Sequence, residues 1–546
     1  MKLNRMEGYT MSSLMKGTAI LTIGLFLSKL LGLIYIFPFY AIVGEENVGL
    51  YQYAYIPYNI MLSIAIGGLP VAVSKFVSKY NALGDYDAGR RLVKTGALLM
   101  VVTGIISFIL INLLADPLAH IVIADDEQRY TIDQVATIIR WVSYAILVVP
   151  FMSLVRGFMQ GYGHFLPTSV SQLVEQIGRI IFLLGTSYLI VSVFNGSPIT
   201  AVNLSVFAAF IGALFGLVVM YYYWKKIKPE IVAIQSQGVK GEKLPYSTMY
   251  KEIMSYAIPV VFVGLANSLF QFIDMLTFNR AMISIGLASV TDDYFSMINF
   301  LTHKIVIIPV MLATGFSMAL IPTITKLFTQ NDSVNLRAAM DKTYQVLLFI
   351  TVPASVGISL LATELYFVLY SQSEMGASVL AHYAPVAILF ALFSVTAALL
   401  QGIDRQKWLV LSLLIGLLVK VLTNVPLIKE MEADGAILAT ALGYIVTIAI
   451  NIVVISKVTN YKSRVVQRRI LLICLLTGIM AAAVIATKAL LYMIAPAETK
   501  LLALLYALIC AGVGVVVYGF ISFKLGLGQK LLGEKVSRLA AKIGFK

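Results

Sequence analysis

The chain has 546 residues, 59% hydrophobic and only 12% charged, with a formal net charge of +14. That balance excludes a soluble globular protein and is what a polytopic membrane protein needs to face lipid. Two cysteines, with no CxxC or Cys/His cluster, leave no basis for a disulfide framework or a zinc site.

A run of about 20 apolar residues crosses a bilayer as a helix, and such runs predict about fourteen spans. Their centres fall near 29, 63, 103, 147, 179, 211, 270, 310, 354, 389, 417, 446, 481 and 511. The first run, Leu14 to Val43, is too long for a signal-peptide core and has no small-residue cleavage site, so it is read as span one. It carries Ser28, Lys29 and Gly32. Gly67-Gly68 and Pro70 are helix breakers in or near span two. Span five holds Glu175 and Arg179, and span six presents Gly212-x-x-x-Gly216 as a small-residue packing face. Span seven carries Asp274 and Arg280. Span eight carries Lys304, preceded by His303 and followed by Pro309 and Gly315. Lys420 lies in span eleven, and Cys474 and Cys510, in the last two spans, are read as packing residues. Prolines in or near the spans, such as Pro57, Pro150 and Pro353, predict kinks, some of which can serve as hinges. After Lys524, Leu532, Val536, Leu539 and Ile543 share one helical face and Lys535, Arg538 and Lys542 lie elsewhere. That pattern predicts a helix lying on an anionic inner leaflet.

Lys and Arg concentrate on one side of this topology. Arg5, Lys16, Lys79, Arg90, Arg91, the 225–251 loop, Arg337, Arg405, Lys407, the 457–469 cluster and the tail alternate with acidic loops containing Glu45, Asp116, Asp125, Asp126, Asp292, Glu364, Glu374 and Glu498. The positive-inside rule then predicts a multi-pass membrane protein with both termini cytoplasmic. The basic pI follows from this sidedness, and nucleic acid is not expected as a partner.

An internal repeat organises the spans. Gln160-Gly161 through Ser171 to Arg179 matches Gln401-Gly402 through Ser412 to Lys420 at an offset of 241. Ser28-Lys29 corresponds to Asn279-Arg280, and Ser74-Lys75 to Thr325-Lys326, at an offset of 251. The predicted architecture is all-α, with two pseudo-symmetric six-helix lobes: an N-lobe at 1–225 and a C-lobe at 251–457. A cytoplasmic linker at 226–250 joins them, two extra helices follow at 458–523, and an amphipathic tail occupies 524–546. Even span numbers place the two lobes in the same orientation, with a central cavity expected between them.

An ionised side chain at the bilayer centre costs roughly 2.5–3.5 kcal/mol on insertion scales, so embedded charges mark a polar interior or a transport path. Lys29, Arg179, Arg280, Lys304 and Lys420 lie within predicted spans, against Glu175 and Asp274. The excess of cations predicts an anionic cargo. Lys29, Arg280 and Lys304 are expected to line the cavity. Glu175 precedes Arg179 by four residues, the spacing of an intrahelical ion pair. Lys420 is close enough to the outer surface to reach headgroups. Asp274 is a candidate partner of Lys304 or a cation ligand.

Several motifs resemble the polysaccharide-exporter branch of the multidrug/oligosaccharidyl-lipid/polysaccharide superfamily. They are Ser28-Lys29-x-x-Gly32, Gly49-Leu-Tyr51-Gln-x-Ala-Tyr55-x-Pro57, and Gly68-Leu-Pro70 leading to Ser74-Lys75. Within that branch the chain resembles MurJ-type lipid II flippases and their stage V sporulation protein B relatives. The resemblance implies translocation of an undecaprenyl-pyrophosphate-linked cell-wall precursor from inner to outer leaflet by alternating access. It implies pyrophosphate contacts at Lys29 and Lys304, and a lipid-tail groove at the last two spans. Lys29 stands where many family members have arginine, Ile34 and Tyr35 stand where an acid often follows, and Ile60, Met61 and Leu62 replace a basic pair found in some members.

The expected partners are a lipid-linked anionic glycan, membrane lipids and cell-wall synthesis machinery. No cofactor is expected, and coupling to membrane potential or a monovalent ion is the anticipated energy source. Catalysis is not expected: there is no phosphate-binding Gly-rich loop, and the four histidines lack metal-ligand spacing. The alternatives are a flippase for another lipid-linked polysaccharide unit, a cation-coupled multidrug antiporter, whose embedded carboxylates should outnumber its cations, and a scaffold without transport.

Overall fold

A computed structural model describes residues 24, 26–82, 85–235, 246–461 and 464–532. The start of the first apolar run, the middle of the basic linker and the amphipathic face of the tail from Val536 onward lie outside these residues. The described chain is helical, with no strand among the described residues. In order, it forms α1 (Phe26–Val43), α2 (Glu45–Ile66), α3 (Leu69–Ala82), α4 (Tyr86–Val122), α5 (Ile132–Gly161), α6 (Phe165–Tyr188), α7 (Pro198–Gln235) and α8 (Tyr246–Ile283). A continuous helical stretch, 3-10 at Ala288–Val290, α at Thr291–Ser296 and π at Met297–Leu301, leads into α9 (Thr302–Thr329), followed by α10 (Ser333–Leu360), α11 (Ala362–Leu369), α12 (Glu374–Tyr383), α13 (Val386–Gly402), α14 (Gln406–Thr459), α15 (Arg464–Ile494) and α16 (Lys500–Lys524).

Among the described residues, 12 helices are long and apolar enough to cross a membrane. One of these, α14, turns back on itself at Glu432 (φ 54°, ψ −129°) and so contains two of the predicted spans. The predicted second span is α2 with α3, and it escapes a hydropathy criterion because α2 is rich in tyrosine. Splitting α14 and adding α2–α3 recovers the expected fourteen. Large apolar side chains such as Leu113, Ile181, Val218, Leu422 and Val515 are exposed, as lipid-facing positions should be.

The fold divides into two compact units, residues 1–276 and 277–546, and the division falls within α8. In the first unit α5 is central, packing against α2, α3, α4 and α7, while α6 and α7 form the most extensive pair. A cluster including Val73, Phe76, Leu92, Met100, Leu154, Phe158 and Met220 fills part of its core. Side-chain caps fix the helix starts: Asp85 accepts from the Ala88 N–H at 3.0 Å, and Thr131 and Gln134 form a capping box.

The break between α2 and α3 rests on Gly67 (φ 54°) and Gly68 (φ 66°), a left-handed backbone that glycine adopts without penalty. The hydroxyl of Thr103 donates to the Ala65 carbonyl at 2.9 Å, supplying one partner for the interrupted ladder. Helix α5 passes directly over this break. A Cβ on Gly157 would lie 2.3 Å from the Pro70 carbonyl oxygen, so only glycine permits the approach. Gly157→Val is therefore expected to cost about 3 kcal/mol or more through overpacking. Thermal unfolding of the purified protein should shift down by about 3–5 °C. Gly185→Ala, at a glycine with nothing within 4 Å of its would-be Cβ, should leave the transition in place.

In the second unit, α13 packs against α9, α10 and α14, and α15 pairs with α16 and leans on α10. The last two helices are anchored here. A cluster including Phe349, Leu361, Ile473, Leu476, Met480, Val484, Cys510 and Tyr518 binds them to α10 and α11. Lys488 pairs with the buried Glu364 at 2.9 Å, and the Tyr492 hydroxyl donates to the same carboxylate at 2.8 Å. Cys510 is the packing residue expected, but Cys474 is exposed on α15.

Candidate functional site

Small residues govern where α1 lies on α6. The Ser28 hydroxyl donates to the Gln172 carbonyl at 3.4 Å, and a Cβ on Gly32 would come within 3.2 Å of the Gln176 amide nitrogen. Four residues apart, Ser28 and Gly32 share the packed face of α1. The Ser28-Lys29-x-x-Gly32 motif thus seats the helix and turns Lys29 away from the contact, where it is exposed. Among the described residues no carboxylate pairs with Lys29.

Deeper in the same unit, the structure corrects the expected Glu175–Arg179 pair. Glu175 pairs instead with Arg156, Nη2 to Oε2 at 2.7 Å. Arg156 also donates from Nε and Nη2 to the Ser171 hydroxyl at 3.1 and 2.7 Å, and Ser171 donates in turn to the Gly216 carbonyl at 2.9 Å. This network ties α5, α6 and α7 together. The Gly212/Gly216 face admits it: Cβ atoms there would meet the Glu175 carbonyl at 2.7 Å and Arg156 Nη2 at 3.0 Å.

Arg179 turns to tyrosines. Its Nη2 donates to the hydroxyls of Tyr51 and Tyr55 at 2.9 and 2.6 Å. Its guanidinium lies 5.1 Å from the Tyr55 ring centroid and 5.9 Å from that of Tyr35. Tyr51 and Tyr55 stack at 4.3 Å, and the Tyr35 hydroxyl is 3.1 Å from that of Tyr51. The tyrosines of the Gly49–Pro57 motif therefore act as a cradle for a cation, combining hydroxyl acceptors with ring quadrupoles. Arg179 Nε has no acceptor in this arrangement.

Within the second unit, Arg280 is exposed near the end of α8. Lys304 is half-buried in the first turn of α9, its ammonium 5.4 Å from the Phe300 ring centroid. Its neighbour His303 hydrogen-bonds through Nδ1 with the Tyr383 hydroxyl at 2.9 Å. Lys420 does not extend to the headgroup region as expected; it is 0% exposed. Its ammonium donates to the Ala436 carbonyl at 3.0 Å and to Thr440 Oγ1 at 2.8 Å, bracing the two arms of α14. Asp274, in the first unit, is buried at 3% exposure.

The five embedded cations thus separate by environment. Lys29 and Arg280, equivalent in the repeat, are exposed; Arg179 and Lys304 are half-buried, and Lys420 is fully buried. Arg156 was not recognised from the sequence because it lies near the end of an apolar run, where an arginine passes for an interfacial residue. Its acceptors, Ser171 and Glu175, share one face of α6 at four-residue spacing, the available clue. No group of three His, Cys, Asp or Glu side chains suited to a metal occurs among the described residues.

Residues 14–328 match the family described as polysaccharide biosynthesis protein. The chain is 46% identical over 531 residues to the lipid II flippase MurJ of Bacillus subtilis (strain 168), covering 96% of this chain and 98% of that one. It is 25% identical over 455 residues to stage V sporulation protein B of the same organism, covering 81% and 84%. Among solved structures, the inward closed conformation of lipid II flippase MurJ superposes with a TM-score of 0.61 at 15% identity, covering 93% of this chain and 99% of that one. An inward-facing multidrug resistance MATE family transporter of the MOP superfamily gives 0.63 at 13% identity, covering 79% and 94%. These structural likenesses bear on the fold, which is the two-lobed arrangement the repeat predicts, while near full-length sequence identity bears on kinship. The chain belongs to the polysaccharide biosynthesis protein family, in the branch that contains the lipid II flippase MurJ.

Proposed function

We propose that this protein is a transporter that moves lipid II from the inner to the outer leaflet of the bacterial cell membrane. The observation that carries this reading is the 46% identity to a lipid II flippase across 98% of that protein's length. Physical chemistry supplies a mechanism. A pyrophosphate crossing ~30 Å of hydrocarbon needs a replacement for its hydration shell. Exposed Lys29 and Arg280, with half-buried Lys304, are the side chains proposed to provide it, each as its own unit becomes accessible to one membrane face and then the other. The polyprenyl tail can stay in lipid throughout, and α15 and α16 are the proposed boundary of its path.

Energy would come from the membrane potential, which is worth about 2.3 kcal/mol per elementary charge per 100 mV. An inside-negative potential drives an anionic headgroup outward and draws an empty cationic site back inward. The proposed orientation has both termini in the cytoplasm. Cation-exchanging antiport fits less well: Glu175, the embedded acid of α6, is already bonded to Arg156.

Complementation tests the reading. In a bacterium depleted of its own lipid II flippase, expression of this chain should restore growth and labelling of lipid II headgroups at the cell surface. Normal membrane levels without either recovery would overturn lipid II as the cargo and favour another lipid-linked polysaccharide unit.

A further inference from the structure

Separate from the transport residues, the first unit carries a groove of about 590 Å³ where α4, α5 and α7 diverge. Leu154, Phe158 and Met220, members of the buried core cluster, contribute to its walls. Along α7 it extends from Leu217 to Val232, about 22 Å at 1.5 Å per residue. Inward from Trp224 it reaches Leu217, about 10 Å at 1.5 Å per residue, which lies within the ~15 Å depth of one leaflet.

One end of this groove is basic. Arg90 and Lys94, early in α4, and Lys228, late in α7, all line it, and among the described residues no acid does. All three are exposed. Early α4 and late α7 meet there because the two helices run antiparallel, so the cations gather at the cytoplasmic end under the orientation proposed above. Trp224 and Tyr221 also line the groove, the residue types that settle at the level of lipid headgroups. An apolar trough within the depth of one leaflet, flanked by three cations beside an indole, matches a ligand with hydrocarbon chains and one negative headgroup.

We propose that an anionic diacyl phospholipid of the inner leaflet occupies this groove, its acyl chains against the apolar wall and its phosphate held by Arg90, Lys94 and Lys228. This is a resident-lipid site, and it does not depend on which glycan is carried.

Trp224 provides the readout. The chain has three tryptophans, so Trp141→Phe/Trp408→Phe leaves Trp224 as the only indole. The full-length protein is placed in bilayers containing brominated phosphatidylglycerol or brominated phosphatidylcholine, and quenching gives the relative occupancy. Phosphatidylglycerol is expected to be preferred about tenfold, with the preference weakening as salt screens it. Arg90→Gln/Lys94→Gln/Lys228→Gln should reduce phosphatidylglycerol to the level of phosphatidylcholine. Lys226→Gln, an exposed neighbour that does not line the groove, should change nothing. Equal quenching by both lipids in the parent protein would overturn the proposal whether or not the triple variant folds. So would an unchanged preference in the triple variant, relief of quenching by inorganic phosphate, which would mark a simple anion site, or displacement by undecaprenyl phosphate, which would make the occupant the carrier lipid.

Discussion

Replacing Lys29 by methionine is expected to slow lipid II flipping by about 10- to 100-fold, whereas Lys29→Arg should stay within a few-fold of the parent. A hydrogen bond to a charged group contributes about 1.5–3 kcal/mol, and each 1.4 kcal/mol is a factor of ten. Methionine keeps the length and much of the apolar stem of lysine, so the change removes charge and little else. Arginine restores the charge and can grip a phosphate through two N–H groups. Packing should survive in both variants, since Ser28 and Gly32 on the seated face of α1 are untouched and Lys29 itself is exposed. The measurement is reduction of fluorescently labelled lipid II by a membrane-impermeant reagent in proteoliposomes, normalised to reconstituted protein. A methionine variant that flips at the parental rate would remove Lys29 from the transport path.

The class of fold was legible because two simple patterns agree. Apolar runs of membrane-spanning length recur along the chain, and the Lys/Arg asymmetry of the loops assigns them a consistent sidedness. The repeat was legible from short matches such as Ser171 to Arg179 against Ser412 to Lys420, and both serines do hold their units together: Ser171 bonds the Gly216 carbonyl and Ser412 bonds Asn451 Oδ1 at 2.6 Å. Partner choice was less legible, because a one-dimensional spacing rule sees only the helix a residue belongs to. Glu175 and Arg179 have the right spacing to pair, yet Arg156 from α5 reaches Glu175 first and Tyr51 and Tyr55 from α2 take Arg179. Each preference depends on an interhelical approach set by Gly212 and Gly216, which the sequence marks as a packing face without naming what is packed.

The repeat also shows how one position can be solved twice. At the offset of 241, Glu175 corresponds to Gly416, where a Cβ would lie only 1.9 Å from Thr447 Oγ1. The second unit has no room for an acid there, because the two arms of α14 are pressed together. Its cation, Lys420, is satisfied by a backbone carbonyl and Thr440 instead. Arg179 in turn hydrogen-bonds Tyr51 and Tyr55 of a neighbouring helix. Both are therefore braces within their units, which concentrates the expected effects on transport at the exposed positions, Lys29 and Arg280.

Arg156→Ala should destabilise the first unit by about 3–5 kcal/mol, the range seen when one partner of a buried ion pair is removed. The Glu175 side chain is only 25% exposed and that of Arg156 10%, so solvent screens the pair weakly and the abandoned carboxylate has few other donors. Ser171 would lose both guanidinium bonds at the same time. Arg156→Lys should recover only part of this, since one ammonium cannot reproduce the fork that spans Ser171 and Glu175. The decisive variant is Arg156→Met/Glu175→Gln, which removes both charges and keeps the volume. If the cost of Arg156→Ala is chiefly an uncompensated charge, the double variant should be more stable than Arg156→Met alone, with a coupling energy above about 1 kcal/mol in a double-mutant cycle. Thermal unfolding of the four proteins in one detergent gives that cycle directly. Strictly additive losses would show that Arg156 acts through packing against α7 and that the ion pair is incidental to it.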